Sequence, residues 1–478
     1  MDSLVETLRA IVGAKYVIAR PSELIVYEND GLPGYHKRPR LVVSPGSRDE
    51  AIAVVQALAA ADAPFVARGA GTGLSGGSLA DGIVIVGLQR MRRIIAIDPV
   101  ARTATVEPGV VNATLTRAAT PHGLHYAPDP SSQTACTIGG NVAENAGGPH
   151  CLKYGVTMNH VLAAAVVLPD GEVVRLEAPR DDETGIDLLG AFVGSEGCFG
   201  IAVDITVKLT SNPARVCTML ADFMTVDGAA EAVSSIIAAG IVPAALELID
   251  AGTIAAVEAS IYAAGYPTDA AAALIVEIDG PVAGLDDDVA AVERLCHAAG
   301  ARTVRIATDA TERARLWQGR KKAFGAMGRI APDLVVQDAV VPRSSLPDVL
   351  EQILEIGRRH GLTVANVFHA GDGNLHPNIC YDARDPDLTK RVHQAAREIM
   401  EVCVAAGGSI TGEHGVGSDK LDYMPMIFDP ESLAAMGAVR RVFDPAQRAN
   451  PGKVIPIHHC NEWRRGPSEA SASGRSRR

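Results

Sequence analysis

The sequence has few aromatic residues, no closely spaced cysteines and no long apolar run. Aromatic side chains account for 4% of its 478 residues. No two of its eight cysteines form a C-x-x-C pair, which excludes an iron–sulfur, thioredoxin or zinc-ribbon motif that could be read from spacing. The longest apolar run, residues 161–168, is far shorter than the roughly 20 residues that span a bilayer. Residues 1–16 carry charges and predict a short amphipathic helix rather than a signal peptide.

Positive charge is also in short supply. Lys and Arg number 44 against 56 Asp and Glu, so the formal net charge is −12. Proteins that follow a phosphate backbone concentrate positive charge, so this balance argues against nucleic acid as a partner. Scattered single cysteines are typical of a reducing compartment, and we therefore expect an intracellular, cytoplasmic protein.

Glycine and strand patterns divide the chain into four parts. Residues 1–213 are rich in glycine and in short strand-like pieces. After the N-terminal helix, a capping box at Ser47 predicts a second helix, and a strand over 65–68 follows. Residues 214–405 repeat a strand–helix pattern and predict an α+β module, which includes one strand over 334–341, a helix ended by Gly361 and a strand over 363–369. Residues 406–460 are glycine-rich again. Residues 461–478 are poor in apolar residues and predict a disordered tail.

The first glycine cluster is RGAGTGLSGG, residues 68–77. It contains the G-x-G-x-x-G spacing, but a strand over 83–86 follows within a few residues, whereas a Rossmann site needs a helix there. Backbone N–H groups of such a loop can still converge on a phosphate, with Arg68 adding charge. A flexible turn without a ligand is the alternative.

Two further clusters repeat this composition. Residues 128–157 form a long stretch of glycines, small residues and amides, and residues 194–201 (GSEGCFGI) form a shorter one. A surface loop of that length is entropically costly unless it wraps something, so the three clusters together predict a large flat ligand rather than independent turns.

Two histidines flank an Asp-Gly turn in NVFHAGDGNLHPNI, residues 366–379. Asp-Gly between strand-like runs is typical of a hairpin, so His369 and His376 can meet across the turn. Two neutral imidazoles and one carboxylate, for which Glu413 is the candidate, commonly bind a divalent metal with an open position. Hydrogen-bonded or solvated histidines are the alternative, and the absence of H-E-x-x-H argues against a zincin hydrolase.

His414 and Arg320 complete a candidate reaction set. His414 lies in a loop with three glycines, and an imidazole can take a proton near neutral pH, although a loop histidine without a task has the same pattern. Residues 313–329 are strongly basic, and Trp317 followed by Arg320 suggests one cation held against a pocket. An Arg suits a carboxylate because it donates two parallel hydrogen bonds.

With these motifs in place, the chain resembles the vanillyl-alcohol oxidase / p-cresol methylhydroxylase family of FAD enzymes. The three glycine clusters resemble its flavin domain, and residues 364–379, 407–417 and 450–456 resemble its branch of glycolate oxidase flavoprotein subunits, D-lactate dehydrogenases and D-2-hydroxyglutarate dehydrogenases. The resemblance runs from about residue 41 to 456. It implies an α+β fold in which a PCMH-type FAD-binding domain carries a ferredoxin-like cap, and the C-terminal segment completes the site.

The resemblance also assigns roles to residues. It implies that His369, His376 and Glu413 bind a divalent metal, zinc by analogy, that His414 is the base, and that Arg320 and His369 bind substrate. FAD is non-covalent, because the first loop lacks the His or Cys that some members bond to the flavin. The residues that the resemblance places at FAD are Arg68, Gly69, Ala70, Gly71, Thr72, Gly73, Leu74, Ser75, Gly76, Pro128, Asp129, Pro130, Ser131, Thr137, Gly139, Gly140, Asn141, Glu144, Asn145, Gly147, Gly148, Tyr154, Gly155, Glu196, Gly197, Gly200, Ile201 and Asn450.

These roles predict oxidation of a small D-2-hydroxy acid to the 2-oxo acid. The reaction needs a base, an electrophile at the hydroxyl, a carboxylate clamp and a hydride acceptor, and the motifs supply each. Relatives that oxidise 2-hydroxyglutarate carry a Lys in the strand after the Arg helix, where this chain has Leu334, Val335 and Val336, so glycolate or D-lactate is favoured. A metal-dependent hydrolase and a non-catalytic FAD relay subunit are the alternatives.

The route by which electrons leave is not readable from the sequence. It contains neither an NAD fingerprint in proper context nor a cluster-ligating cysteine pattern, which leaves oxygen, a quinone or a protein as acceptor. The resemblance implies partner subunits, one with iron–sulfur clusters and a second of flavin type, in a homo-oligomer or complex. It further implies a peripheral association with the inner face of the membrane.

Overall fold

A computed structural model describes residues 2–32, 34–179 and 185–456. The predicted disordered tail and Cys460 lie outside the described residues. Within the described ranges, no helix combines the length and apolar character needed to cross a bilayer. The seven cysteines that the structure describes are all free thiols.

Among its described residues, the N-terminal region contains three sheets and seven α-helices. Its strands β1–β11 are Val17–Ile18, Leu41–Val43, Phe65–Arg68, Val84–Gly87, Ile94–Asp98, Thr103–Val106, Leu124–His125, Val161–Val167, Val173–Glu177, Ile201–Lys208 and Thr210–Ser211. Its helices α1–α7 are Asp2–Val12, Pro21–Leu24, Arg48–Ala60, Asn112–Ala119, Ile138–Glu144, Cys151–Tyr154 and Leu188–Phe192. One sheet has the order β1-β2-β4-β3, a second the order β5-β6-β10-β8-β9, and β7 pairs with β11. No helix follows the first glycine loop before β4, so the Rossmann geometry is absent from this described stretch.

The second region is a helix-covered antiparallel sheet. Its strands β12–β20 are Arg215–Phe223, Ala245–Asp250, Ala272–Gly280, Ala301–Ile306, Asp333–Val336, Ala339–Val340, Thr363–His369, Asn374–Leu375 and Pro377–Tyr381. Its helices α8–α14 are Val226–Ala238, Ala251–Glu258, Leu285–Ala298, Ala310–Lys321, Ala323–Met327, Leu346–His360 and Pro386–Ala405, and α15, Pro430–Phe443, follows. The strand order β15-β12-β14-β13 is that of a ferredoxin-like split βαβ fold, and β13 continues the sheet into β18. The predicted α+β class is confirmed.

Local sequence explains several of these helix starts. The Ser47 hydroxyl accepts from the Glu50 N–H at 3.2 Å, as the capping box predicts, although the Glu50 carboxylate accepts from Gly46 N rather than from Ser47. Thr137 caps α5 in the same way, accepting from Gly140 N at 3.3 Å. Gly361 ends α13 with a φ of 63°, a left-handed conformation that glycine adopts at little cost.

Two predictions about local structure were wrong. The glycine cluster over 128–157 is not one long loop, because residues 138–144 form α5. Gly139 is needed in this helix, because a side-chain carbon at that position would lie only 2.6 Å from Pro108 Cβ. The predicted strand over 334–341 is two strands, β16 and β17, which pair with different partners. β16 pairs with β20 and β17 with β19, and Gln337 and Asp338 lie between the two strands. The sequence pattern also missed β13 and α9.

The C-terminal segment returns to the N-terminal region. Phe65 in β3 exchanges backbone hydrogen bonds with this segment, donating to Arg448 O at 2.9 Å and accepting from Asn450 N at 2.7 Å. The Asn450 side-chain amide donates to Gly77 O at 2.8 Å and to Glu196 O at 2.6 Å. The segment therefore ties two of the glycine clusters together.

Candidate active site

A cavity of about 690 Å³ lies between the two regions. One side, the glycine wall, is rich in glycine and is formed by residues 69–74, 139–144, 146–147, 195–197 and 200–202 together with Thr137. The other, the charged wall, is formed by Arg320, His369, His376, Glu413 and His414. Residues more than 300 positions apart in sequence therefore face one space.

Most of the residues predicted to bind FAD do line this cavity. They include the first loop from Arg68 to Leu74 and, from the later clusters, Pro130, Ser131, Thr137, Gly139, Gly140, Asn141, Glu144, Gly147, Glu196, Gly197, Gly200 and Ile201. Glycines admit a ligand close to the main chain because they have no side chain to displace it. A large flat cofactor therefore fits this wall.

The remaining predicted FAD residues lie outside the cavity lining. They are Ser75, Gly76, Pro128, Asp129, Asn145, Gly148, Tyr154, Gly155 and Asn450. Several are occupied elsewhere: the Ser75 carbonyl accepts from Ser418 N at 3.0 Å, the Asn145 amide oxygen from Met158 N at 2.8 Å, and Tyr154 hydrogen-bonds Asp279. These residues shape the loops that carry the glycine wall.

Arg68 also differs from its predicted role. It borders the cavity, but its guanidinium donates to the carbonyls of Asn29 and Tyr27 at 2.5 and 3.4 Å. Burial lowers the pKa of Arg68 although Asp30 opposes that shift. Its charge therefore secures the loop from behind rather than standing free for a phosphate.

Two carboxylates border the glycine wall. Glu196 accepts from Val416 N at 2.7 Å and Gly417 N at 2.8 Å, while Oε2 of Glu144 is buried without a hydrogen-bond partner. Burial raises the pKa of both, and for Glu144 the neighbouring Glu196 adds to the shift. Glu144 is thus an acceptor or acid that a ligand in the cavity can satisfy.

His369 and His376 converge on one carboxylate oxygen. Their Nε2 atoms each lie 3.1 Å from Oε1 of Glu413, and their rings are nearly perpendicular with centroids 5.3 Å apart. The imidazoles meet across the turn as predicted, because His369 ends β18 and pairs directly with Asn374 in β19. Gly147 makes room opposite them, since a side-chain carbon there would lie 2.5 Å from Glu413 Oε2.

This donor set fits a divalent cation. Burial opposes ionisation of Glu413, but the two imidazoles outweigh it and lower its pKa well below the usual range. Burial likewise opposes protonation of His369, but Glu247 and Glu413 outweigh it and raise its pKa well above the usual range. The surroundings therefore favour a positive charge where the two nitrogens and the oxygen meet, and a bound metal supplies one.

Two buried carboxylates that sequence reasoning missed stand behind the histidines. Glu247 in β13 accepts from His369 Nδ1 at 2.7 Å, and Asp338 lies 3.8 Å from His376 Nδ1. Asp338 also collects the N–H groups of Gly412 and His414, each at 3.0 Å, and the Lys420 ammonium at 3.0 Å. The available signal was an acid inside an otherwise apolar run, Glu247 in AALELI for one and Asp338 in VVQDAVV for the other.

Asp338, His376 and His414 also cluster closely, but this second group does not suit a metal. The rings of His376 and His414 are stacked, with centroids 4.8 Å apart and planes 5° from parallel. Lone pairs of imidazole nitrogens lie in the ring plane, so two stacked rings cannot aim them at one ion. The Lys420 ammonium already compensates the Asp338 charge.

His414 is a partly buried, neutral imidazole beside this cluster. Burial lowers its pKa to about 4, against the opposing influence of Asp338 and with a further lowering from His376. Its Nδ1 is buried without a partner. A neutral ring with an unused nitrogen is the state that a proton acceptor requires.

Arg320 is held rather than free. It is 1% exposed on α11, its Nε donates to Oε2 of Glu247 at 2.6 Å, and its Nη2 lies 3.5 Å from His369 Nδ1. Its Nη1 takes no part in these contacts. The guanidinium thus sits beside the histidines at the cavity with an edge left for an anion.

Family comparisons agree with this architecture. The model of the C-terminal domain of FAD-linked oxidases matches residues 212–454, and an FAD-binding domain model matches residues 39–177. The chain belongs to the FAD-linked oxidases and is an FAD-linked oxidoreductase, as its motifs predicted.

Curated relatives narrow the class. The chain is 46% identical over 464 residues to the glycolate oxidase subunit GlcD of Escherichia coli (strain K12), covering 96% of this chain and 93% of that protein. It is 40% identical to the GlcD subunit of Bacillus subtilis (strain 168), covering 90% and 92%, and 32% identical to a D-lactate dehydrogenase of Anaerostipes hadrus, covering 90% and 92%.

Solved structures confirm the fold. p-Cresol methylhydroxylase superposes with a TM-score of 0.80 at 18% identity, covering 96% of this chain and 98% of that one. The 4-ethylphenol oxidase of Gulosibacter chungangensis gives 0.78 at 18% identity, covering 95% and 97%. The predicted PCMH-type fold is confirmed.

Proposed function

We propose that the protein oxidises a small D-2-hydroxy acid, glycolate or D-lactate, to the 2-oxo acid with FAD as hydride acceptor. One observation carries the proposal. The two histidines, Glu413, Arg320 and His414 face the same cavity that the glycine wall borders, so reactant groups and flavin site share one space. The relatives named glycolate oxidase subunit and D-lactate dehydrogenase support the substrate class.

The glycine wall would hold FAD without a covalent bond, and His369, His376 and Glu413 would hold a divalent metal, which we propose is zinc. FAD supplies a hydride acceptor and the metal an electrophile for the hydroxyl oxygen. Arg320 binds and orients the substrate carboxylate. His414 takes the hydroxyl proton, and Asp338 holds the His414 loop by accepting the backbone N–H of His414 at 3.0 Å.

The cavity favours a monocarboxylate. Its lining includes Phe324, Leu334 and Val336, which carry no charge for a second carboxylate, and Lys321, which also lines it, is already paired with Asp129 at 3.1 Å. Burying an unpaired carboxylate is costly. Turnover of D-2-hydroxyglutarate comparable to that of glycolate would contradict this preference.

We further propose that the protein works as one subunit of a complex, with an iron–sulfur partner and a second flavin-type partner that accept its electrons. The relatives named as glycolate oxidase subunits support this. The proposed location is the cytoplasm, with peripheral association at the inner face of the membrane. We also propose domain boundaries at residues 213 and 405, with residues 406–460 as the segment that returns to the FAD-binding domain.

An anaerobic titration tests the proposal. The purified protein should show flavin absorbance that bleaches when glycolate or D-lactate is added without oxygen. Protein that lacks flavin, or flavin that neither acid bleaches, would contradict it, and the second result would favour a relay subunit.

His414 is tested in the same instrument. The His414→Asn variant should keep FAD but reduce it about 10²- to 10⁴-fold more slowly, the usual range for a general base. Rapid reduction in that variant would remove His414 from the role of base.

A further inference from the structure

Glu247 is a fully buried carboxylate that connects two parts of the charged wall. It lies in β13 directly opposite His369 of β18 in the antiparallel register. Side chains directly opposite in such a pair project from the same face of the sheet, a few ångströms apart. The register alone therefore brings this acid to the histidine.

Its two oxygens serve different partners. Oε1 lies 2.7 Å from His369 Nδ1, and Oε2 lies 2.6 Å from Arg320 Nε. All three side chains are nearly or fully buried: Glu247 is 0%, Arg320 1% and His369 5% exposed. If either oxygen lost its partner, a buried charge or donor would be left unpaired, which is costly.

The contact with His369 fixes the tautomer of the ring. In the neutral ring that a metal ligand requires, the N–H stays on Nδ1, where it donates to Glu247, and Nε2, the atom that faces Glu413, carries the lone pair. A carboxylate behind a metal-binding histidine holds the ring in place and raises its basicity. His376 has a weaker counterpart, since its Nδ1 lies 3.8 Å from Asp338.

The contact with Arg320 fixes the direction of the guanidinium. With Nε bound to Glu247, rotation about the end of the side chain is blocked, and Nη1 stays outside these contacts. An Arg oriented in advance loses less freedom when it binds a carboxylate.

We propose that Glu247 is a positioning residue that sets metal affinity and substrate affinity together, by holding His369 and Arg320 with its two carboxylate oxygens. This inference rests on the proposed function of the same site. A purely structural ion pair would affect folding alone, whereas a positioning role affects both affinities in the folded protein.

The test is Glu247→Gln, which keeps the shape and removes the charge. We expect the Zn(II) affinity of metal-stripped, FAD-loaded protein, measured by competition with a chromophoric chelator, to fall about 10- to 100-fold. The KM for glycolate or D-lactate should rise about 10-fold or more, while flavin absorbance and the far-ultraviolet circular dichroism spectrum stay unchanged.

Glu277→Gln is the matched control. Glu277 lies in the adjacent strand β14 in register with Ala245, is buried, accepts from Trp317 Nε1 at 2.7 Å and pairs with His150 at 3.1 Å. No hydrogen bond or ion pair among the described residues joins it to His369 or Arg320, so its loss can lower stability but leaves both of those residues held by Glu247. We expect its Zn(II) affinity to equal that of the wild type. If the Glu247→Gln variant does not fold, Glu247→Asp replaces it, because the shorter carboxylate keeps the charge but cannot reach both partners.

The outcomes distinguish a failure of the proposed metal role from a failure of the role proposed for Glu247. Wild-type protein that binds no Zn(II) overturns the metal role in the proposed function and this inference with it. Wild-type binding that the Glu247 variant matches, in affinity and in KM, overturns this inference alone. A loss of Zn(II) affinity in the Glu277 variant as large as in the Glu247 variant also overturns it.

Discussion

The two walls of the cavity are built from different material. The glycine wall presents main chain, and its glycines are required by close packing, as at Gly139 against Pro108. The charged wall presents side chains that are buried and paired, such as Arg320 with Glu247 and Glu413 with two histidines. A wall of backbone suits a large cofactor of fixed shape, whereas a wall of paired charges suits a small anion and a proton.

The two walls should therefore fail in different ways. Removing a charge should stop the chemistry and leave the flavin bound, while filling space on the glycine wall should release the flavin. The junction between the two regions, at His150, should respond to pH. Variants of each wall can separate loss of the chemistry from loss of the flavin.

Glu413→Gln breaks the charged wall at its centre. We expect bound metal to be lost and turnover to fall about a thousandfold, because a metal electrophile contributes several kcal/mol to a transition state. Flavin absorbance should remain. Metal analysis and stopped-flow flavin reduction check the result, with the solvent-exposed Glu431→Gln as control. A variant that loses FAD as readily as metal would contradict the separation of the walls.

Raising the pH should weaken the junction between the regions. His150 on the N-terminal side lies 2.9 Å from Asp129 and 3.1 Å from Glu277 of β14. Burial opposes its protonation, but these carboxylates outweigh burial and raise its pKa to about 10. An unfolded His has a pKa of about 6.5, so the stabilisation is complete below that pH and is lost as pH rises towards 10.

Between pH 7 and pH 9 the folded state then holds one more proton than the unfolded state. The free energy of unfolding should fall by about 1 kcal/mol per pH unit, measured by urea denaturation. His150→Gln should be less stable at pH 7 and should lack this slope. An unchanged slope in that variant would exclude His150 as its source.

Gly139→Ala fills the glycine wall. The added carbon would lie 2.6 Å from Pro108 Cβ and 3.0 Å from its carbonyl oxygen, so α5 must shift, at a cost of about 1 to 3 kcal/mol. We expect FAD affinity, measured by flavin fluorescence on reconstitution, to fall about tenfold, with Zn(II) affinity unchanged. Gly185→Ala is the control, because a side-chain carbon there meets nothing within 4 Å. Loss of Zn(II) with retention of FAD would reverse the assignment of the walls.

Leu334→Lys adds a charge to the apolar part of the cavity. We expect the ratio of kcat/KM for D-2-hydroxyglutarate to that for glycolate to rise about tenfold, because one new ion pair is worth about 1.4 kcal/mol at that ratio. Val335→Lys is the control: successive strand residues face opposite sides, and Val335 does not line the cavity. Equal effects of the two variants would place the second carboxylate elsewhere.

Much of the charged wall was predictable because its motifs are local. His369 and His376 meet across one turn, and Glu413 and His414 are adjacent, so short spacing carried the information. Glu247 and Asp338 were not predicted, since Glu247 lies in β13 and Asp338 in the short break between β16 and β17, and the apolar pattern around each gives no reason for the acid. Their purpose becomes visible only through the pairing of β13 with β18 and the break between β16 and β17.

The glycine wall was predicted in composition but not in form. The clusters supply most of the cavity lining, yet nine of the predicted residues are not part of it, among them Asp129, which pairs with His150 and with Lys321 at 3.1 Å. Glycine content indicates where close approach is allowed, not which atoms make it. That depends on the loops around it.

The motifs alone predicted the class of chemistry, an FAD-linked oxidoreductase, which the family comparisons show. The roles of Arg320 and of the histidines stay predictions. The hydrogen-bond partners of these side chains became known only from the tertiary structure. Glu247 and His369 are 122 positions apart, and Asn450 and Gly77 are 373 positions apart. Their contacts follow from strand register and from the return of the C-terminal segment, because a buried charge or donor must find its partner wherever the fold places one.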